Sequence, residues 1–187
     1  MRTNTRSLMV TSAMRLLSER GAHGLTIDAV LADSGAPRGS VYYHFPGGRA
    51  ELLTEAARTS STFITEMIRG LSAGGDPART LDSFVRFWRG VLVDSDFHSG
   101  CPVAAVIAGE DVPADVSEMA RTAFATWAEE ITKALVDAGI ERTDAEQKAT
   151  LAVAAVEGAV TLCRAHRSTT PLDHVGAQLQ LFLEVSR

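Results

Sequence analysis

Apolar residues recur along this chain at intervals of three and four, and no segment alternates convincingly at intervals of two. Met9, Ala13, Leu16 and Leu17 share one helical face, which Gly21 and Gly24 terminate. Thr26 stands where an N-cap belongs, Leu25 and Val30 are spaced as a hydrophobic staple, and Asp28 suits the first turn of a helix. Ile27, Val30 and Leu31 supply that helix's apolar face. Ser34-Gly35-Ala36-Pro37 interrupts it, and Gly35 is free to take a positive φ there. The pattern then predicts a short helix from Arg38 to Phe45, opened by Pro37 and stopped by Pro46-Gly47-Gly48. A longer helix follows from Arg49 to Leu71.

Beyond the break from Ser72 to Pro77, Leu81, Phe84, Val85, Trp88 and Leu92 repeat with helical period. Asp96 to Pro102 reads as a loop and Val103 to Ala108 as a short apolar helix. Pro113 opens a further helix that Gly139 closes. Thr143-Asp144-Ala145-Glu146 has the form of a capping box, starting a helix that runs to His166 and is rich in alanine and glycine. Thr170-Pro171 opens the last one, with Leu172, Val175, Leu179, Phe182 and Leu183 on its apolar face. The expected fold is all-α, with about nine helices and no internal repeat.

Charge divides what periodicity leaves uniform. The whole chain of 187 residues is acidic, net −5. Residues 1–50 nevertheless hold six arginines against three acids, a net +3, whereas residues 51–187 hold twelve basic and twenty acidic residues, a net −8. A basic head on an acidic body is expected, the head attracting a polyanion that the body repels. No apolar run reaches the 18 residues of a membrane span, and no signal peptide is read, so the expectation is a soluble cytoplasmic protein. Cys101 and Cys163 are too far apart to suggest a metal site, and His166, His174 and Asp173 do not make a metal set either. No metal and no cofactor are expected.

Two short helices joined by a glycine-containing turn describe a helix-turn-helix, in which the second helix enters the major groove. Its leading residues are Pro37, Arg38, Gly39 and Ser40, followed by Tyr42, Tyr43 and His44. Arg38 has the donor geometry for guanine O6 and N7. Ser40 and Tyr43 can donate to bases or phosphates, and Gly39 lets backbone come close. The helix N-termini at Thr26 and at Arg49 are natural phosphate sites. Phe45 reads as core.

The stretch from Thr26 to Leu53 resembles the TetR family of bacterial transcriptional repressors, above all Gly39-Ser40-Val41-Tyr42-Tyr43-His44-Phe45 followed by Arg49-Ala50-Glu51-Leu52-Leu53. The resemblance implies an all-α homodimer that binds a palindromic DNA operator and is released by a small molecule. It implies that Arg38, Ser40 and Tyr43 face bases and that Thr26, Tyr42, His44 and Arg49 face phosphates. Where Arg49 stands the family usually has lysine, a replacement that keeps the charge and alters the geometry. The division expected is a DNA-binding domain over 1–50 and a ligand-binding and dimerisation domain over 51–187.

In the body, Gly100-Cys101-Pro102-Val103-Ala104-Ala105, Ala155-Val156-Glu157-Gly158-Ala159 and Pro171-Leu172 resemble the branch containing the lincomycin-resistance and flavonoid-responsive repressors. Phe63, Met67, Phe84, Trp88, Cys101, Phe124, Trp127 and Glu157 are the candidate ligand-binding residues, pointing to an aromatic or hydrophobic inducer. Glu157 stands out because its neighbours in sequence are apolar and an unsatisfied buried carboxylate is costly. The small residues at 152, 155, 158 and 159 and the stripe from Leu172 to Leu183 suit a homodimer interface of four helices. A regulator switched by Cys101 oxidation or by a protein partner is the alternative. An enzyme built on His98 and Cys101 would leave the basic head unexplained, so no catalytic residue is assigned.

Overall fold

The computed structural model describes residues 5–72, 75–109 and 112–184, the last three by backbone alone. The described residues form nine helices and no strand: α1 (Thr5–Gly24), α2 (Ile27–Ser34), α3 (Ser40–His44), α4 (Gly48–Ser72), α5 (Pro77–Asp94), α6 (Pro102–Ile107), α7 (Ala114–Asp137), α8 (Arg142–His166) and α9 (Thr170–Glu184). The all-α expectation holds. Residues 73 and 74 of the break before Pro77, and the side chains of Phe182 and Leu183, lie outside what is described. Among the described residues no helix is long and apolar enough to cross a membrane.

The chain forms two compact units, Met1–Thr62 with Cys101–Arg121, and Phe63–Gly100 with Thr122–Arg187. In the first, the face read from the sequence is the face that is buried: Met9, Ala13, Leu16 and Leu17 on α1 meet Leu25, Val30, Val41, Phe45, Leu52 and Leu53 in a core almost closed to solvent. Gly21 takes φ 71°, which breaks α1 near its end. The Thr26 hydroxyl accepts the Ala29 N–H at 3.1 Å and caps α2, as expected. Gly35, in the left-handed region at φ 65°, ends α2 by donating its N–H to the Leu31 carbonyl.

Two local expectations shift. The short helix begins at Ser40 rather than Arg38, because Pro37 precedes it by three residues and its carbonyl accepts both the Ser40 N–H at 2.9 Å and the Ser40 hydroxyl at 2.6 Å. The cap of α8 is Glu141, not Thr143: Glu141 is extended and its carboxylate takes the Asp144 N–H at 3.2 Å, while Thr143 is already helical and donates its hydroxyl to Glu141 at 3.3 Å.

In the second unit α5 packs on α8 and α9, and α8 on α9. Gly176 permits the approach of α9 to α5: a Cβ there would lie 3.1 Å from a methyl of Val85. Trp88 is buried with Phe84 and Phe87 edge-on to it, at ring separations of 6.3 and 5.4 Å.

Candidate nucleic-acid interface and apolar cavity

Helix α3 has five residues and two opposite faces. Val41, with Phe45 just beyond the helix, is 0% exposed, whereas Tyr42 is 63% and Tyr43 81% exposed. Burying two bulky anchors so close together holds so short a helix in place. It also leaves two large aromatic side chains in water, an arrangement that costs favourable burial unless something covers them. Tyr43 stands edge-on to His44 at 4.8 Å, and Ser40 spends its hydroxyl proton on Pro37. A Cβ at Gly39 would meet nothing within 4 Å, so the chain's own packing does not require glycine there. Arg38 extends from the same corner and ion-pairs with Asp28 of α2.

Arg49 is placed differently from the rest. Its Nε–H donates to the Leu25 carbonyl at 2.9 Å and its Nη2–H to the Ala22 carbonyl at 2.6 Å. Two of the five guanidinium donors thus clamp the start of α4 to the turn between α1 and α2, a fork that lysine's single ammonium does not reproduce. Gly48, at φ 60°, makes the sharp entry into α4, and Glu51 accepts the Gly47 N–H at 2.8 Å. Neither the clamp nor the Glu51 cap was read from the sequence, although an acid in the first turn after Pro46-Gly47-Gly48 is a visible signal for the second. Arg6, whose guanidinium lies 5.1 Å from the centre of the Phe45 ring, also pairs with Glu55 at 3.0 Å. Arg15 pairs with Glu19 and Asp33. Burial pushes the Asp33 carboxyl up, but hydrogen bonds from Ser12 and Arg15 outweigh it and leave the group below its ordinary value.

The second unit holds an apolar cavity that opens to solvent. Ile68, Leu81, Phe84, Trp127, Ile131 and Val156 are among its apolar walls. Mostly apolar walls with a few polar groups are the lining of a small-molecule site. Lys148 and Glu157, both on α8, bring ionisable side chains to the wall. Lys148 is only 5% exposed and pairs with Asp144 at 3.3 Å. Of the eight residues singled out from the sequence, Phe84, Trp127 and Glu157 line this cavity. Trp88 and Phe124 do not line it but stand edge-on to Phe84 and Trp127 respectively. Phe63 is exposed and touches Phe87 at 5.9 Å, and Met67 is half-buried; neither is a lining residue. Cys101 belongs to the first unit, where its buried sulfur accepts the Ala104 N–H at 3.5 Å and caps α6. The Cys163 thiol is pushed up by burial. The sequence did not single out Lys148, Ile68, Leu81 or Ile131, which lie far apart along the chain and meet only when it folds.

Residues 10–56 match the family described as bacterial regulatory proteins, tetR family. Residues 77–178 match the one described as transcriptional regulator LmrA/YxaF-like, C-terminal domain. An uncharacterized HTH-type transcriptional regulator of Mycobacterium tuberculosis is 40% identical over 184 residues, covering 95% of this chain and 93% of that protein. The HTH-type transcriptional regulator LmrA of Bacillus subtilis is 28% identical over 176 residues, covering 93% of this chain and 94% of LmrA. Among solved structures, the regulatory protein TetR from Rhodobacter sphaeroides superimposes with a TM-score of 0.86 at 18% identity, covering 95% of this chain and 98% of the other. These relatives are transcriptional regulators rather than enzymes.

Proposed function

Because the chain belongs to the TetR family of transcriptional regulators, in the branch with an LmrA/YxaF-like C-terminal domain, we propose that it is a ligand-responsive repressor that binds a palindromic operator as a homodimer. In this reading residues 1–50 bind DNA and residues 51–187 bind the ligand and the second subunit. The observation that carries it is the pair of opposite faces on α3, with Val41 and Phe45 sealed in the core while Tyr42, Tyr43 and Arg38 project into solvent. Arg38, Ser40 and Tyr43 contact bases; Thr26, Tyr42, His44 and Arg49 contact phosphates; Gly39 leaves room for the duplex. Arg49 keeps three N–H groups for a phosphate while two hold the fold.

Support for the homodimer lies on α8 and α9. Of the residues expected there from the sequence, Gly158 is exposed, but Ala152 lines the cavity and Ala159, Leu172 and Leu179 are buried within the chain, because α8 and α9 pack those faces on each other and on α5. The exposed residues at helical spacing on α8 are instead Leu151, Ala154, Gly158, Leu162 and Ala165, and Ala177 and Leu181 are exposed on α9. Small residues in such a stripe let two copies approach closely, and a two-fold pairing sets two recognition helices to read two half-sites. The inducer is an apolar, aromatic-sized molecule in the cavity, held by Phe84, Trp127 and Glu157. Helix α4 carries Leu52 and Leu53 in the head's core near one end and Ile68 and Leu71 on the cavity wall near the other. A ligand that favours one setting of this helix lowers operator affinity by population shift, for which a differential affinity of a few kcal/mol suffices.

Thiol switching at Cys101 draws no support from a sulfur that is buried and already accepts an N–H. The test is a mobility-shift titration of the chain's own upstream region against a random duplex of equal length. The upstream region should bind far more tightly, with a steep fall of affinity as salt rises. Equal retardation of both duplexes overturns the proposal.

A further inference from the structure

Asp28 is an unexpected neighbour for a polyanion. Its side chain is 74% exposed, in the first turn of α2, and its Oδ1 accepts from Nη2 of Arg38, itself 79% exposed and ten residues further along. In water a pair this exposed contributes little to stability, so the pairing is not explained by holding the head together. The surrounding core does that without it: Leu25, Val30, Val41 and Phe45 are all 0% exposed.

We infer that Asp28 is a specificity-determining residue, which orients the Arg38 guanidinium toward a guanine at the expense of general affinity for DNA. The inference rests on reading α3 as the recognition helix. Arginine carries five N–H donors in a rigid fork, of which guanine O6 and N7 take two. A carboxylate on another edge of the same fork is compatible with that contact, and it removes the rotamer freedom that a long exposed side chain otherwise loses on docking. When the groove displaces water from the pair, the attraction between the two charges strengthens, so the orientation is firmest in the complex. The cost falls on every duplex alike, because the carboxylate repels phosphates whatever the sequence. The two effects therefore have opposite signs, and only one of them depends on the base.

A pool of random duplexes is selected with the full-length wild-type protein, with Arg38→Ala and with Asp28→Asn. The guanine whose selection disappears in Arg38→Ala marks the pair that Arg38 reads. Affinities are then measured at one salt concentration for the selected duplex, for the same duplex with that pair replaced, and for a random duplex. In Asp28→Asn, and in Asp28→Ala as a second variant, the preference for the guanine duplex should fall by about tenfold while binding to the random duplex tightens. In an Arg38→Ala background the Asp28→Asn change should leave that preference unmoved. Tightening of all three duplexes by one factor overturns the inference, leaving Asp28 as a repulsive charge only. A sharper guanine preference in Asp28→Asn also overturns it, because Asp28 would then compete with the base for Arg38. If wild type selects no consensus, the recognition-helix reading fails first and the inference falls with it. Thermal melts should show every variant folded, with the Asp28 changes lowering the midpoint only slightly through loss of the carboxylate in the first turn of α2.

Discussion

The head and the body are built from the same amphipathic helices and put their chemistry in opposite places. Around α2 and α3 the core side chains are almost closed to solvent, and the residues with chemistry to offer, Arg38, Tyr42 and Tyr43, stand outside that core. In the second unit the interior is incomplete. Phe84, Trp127, Lys148 and Glu157 border a cavity that the protein does not fill. A surface that meets a rigid duplex gains from being held still, so a closed core beneath it is an asset. A site that takes up a small molecule needs room, and forgoes part of the packing energy that filling it would supply.

This contrast is sharpest under truncation of a phenylalanine. Phe45→Ala should destabilise the protein by about 3–5 kcal/mol, read from the midpoint of urea denaturation, because Phe45 is fully buried and its loss leaves a cavity in the head's core. Phe84→Ala enlarges an existing void and should cost no more than about half as much. Comparable losses would mean that the body is packed as tightly as the head. Filling the cavity is the converse test. Val153→Phe, on the cavity wall, should abolish ligand-induced stabilisation, which for wild type is about 2.7 kcal/mol at a hundredfold excess over Kd, and should leave operator retardation in place. Isothermal titration with an inducer found by thermal-shift screening decides it.

On the head, Arg38→Ala should remove about 1–3 kcal/mol of discrimination between operator and random duplex, with an unchanged melting temperature. A smaller effect is expected where the cap is removed: Thr26→Ala should lower stability by about 1 kcal/mol through the lost acceptor for the Ala29 N–H, seen as a small shift in thermal midpoint. Smallest of all is Cys101→Ser, which keeps an acceptor at the start of α6 and should leave operator release unaltered under oxidant. A protein that loses release on that change would restore the thiol switch as a rival.

The two regions were unequally legible for a physical reason. The elements of the head are local: Thr26 caps the helix it precedes, Gly35 turns the chain where it stands, and Gly39 to Phe45 form one short segment. The cavity is not local. Trp127 was visible as an aromatic residue on a helical face, but nothing in its neighbourhood in sequence distinguishes it from Phe124, which does not line the cavity. Cys101 followed a glycine and preceded a proline, a suggestive setting, and its sulfur proved to close a helix end.

Taken alone, the amino-acid order determined the helices, most of their buried faces and the short helix that follows Pro37, because each follows from interactions within a few residues. The fold decided which aromatics border open space, that Arg49 clamps the carbonyls of Ala22 and Leu25, and that Asp28 meets Arg38. Those outcomes depend on side chains distant in sequence arriving at one place, and no spacing along the chain encodes that arrival.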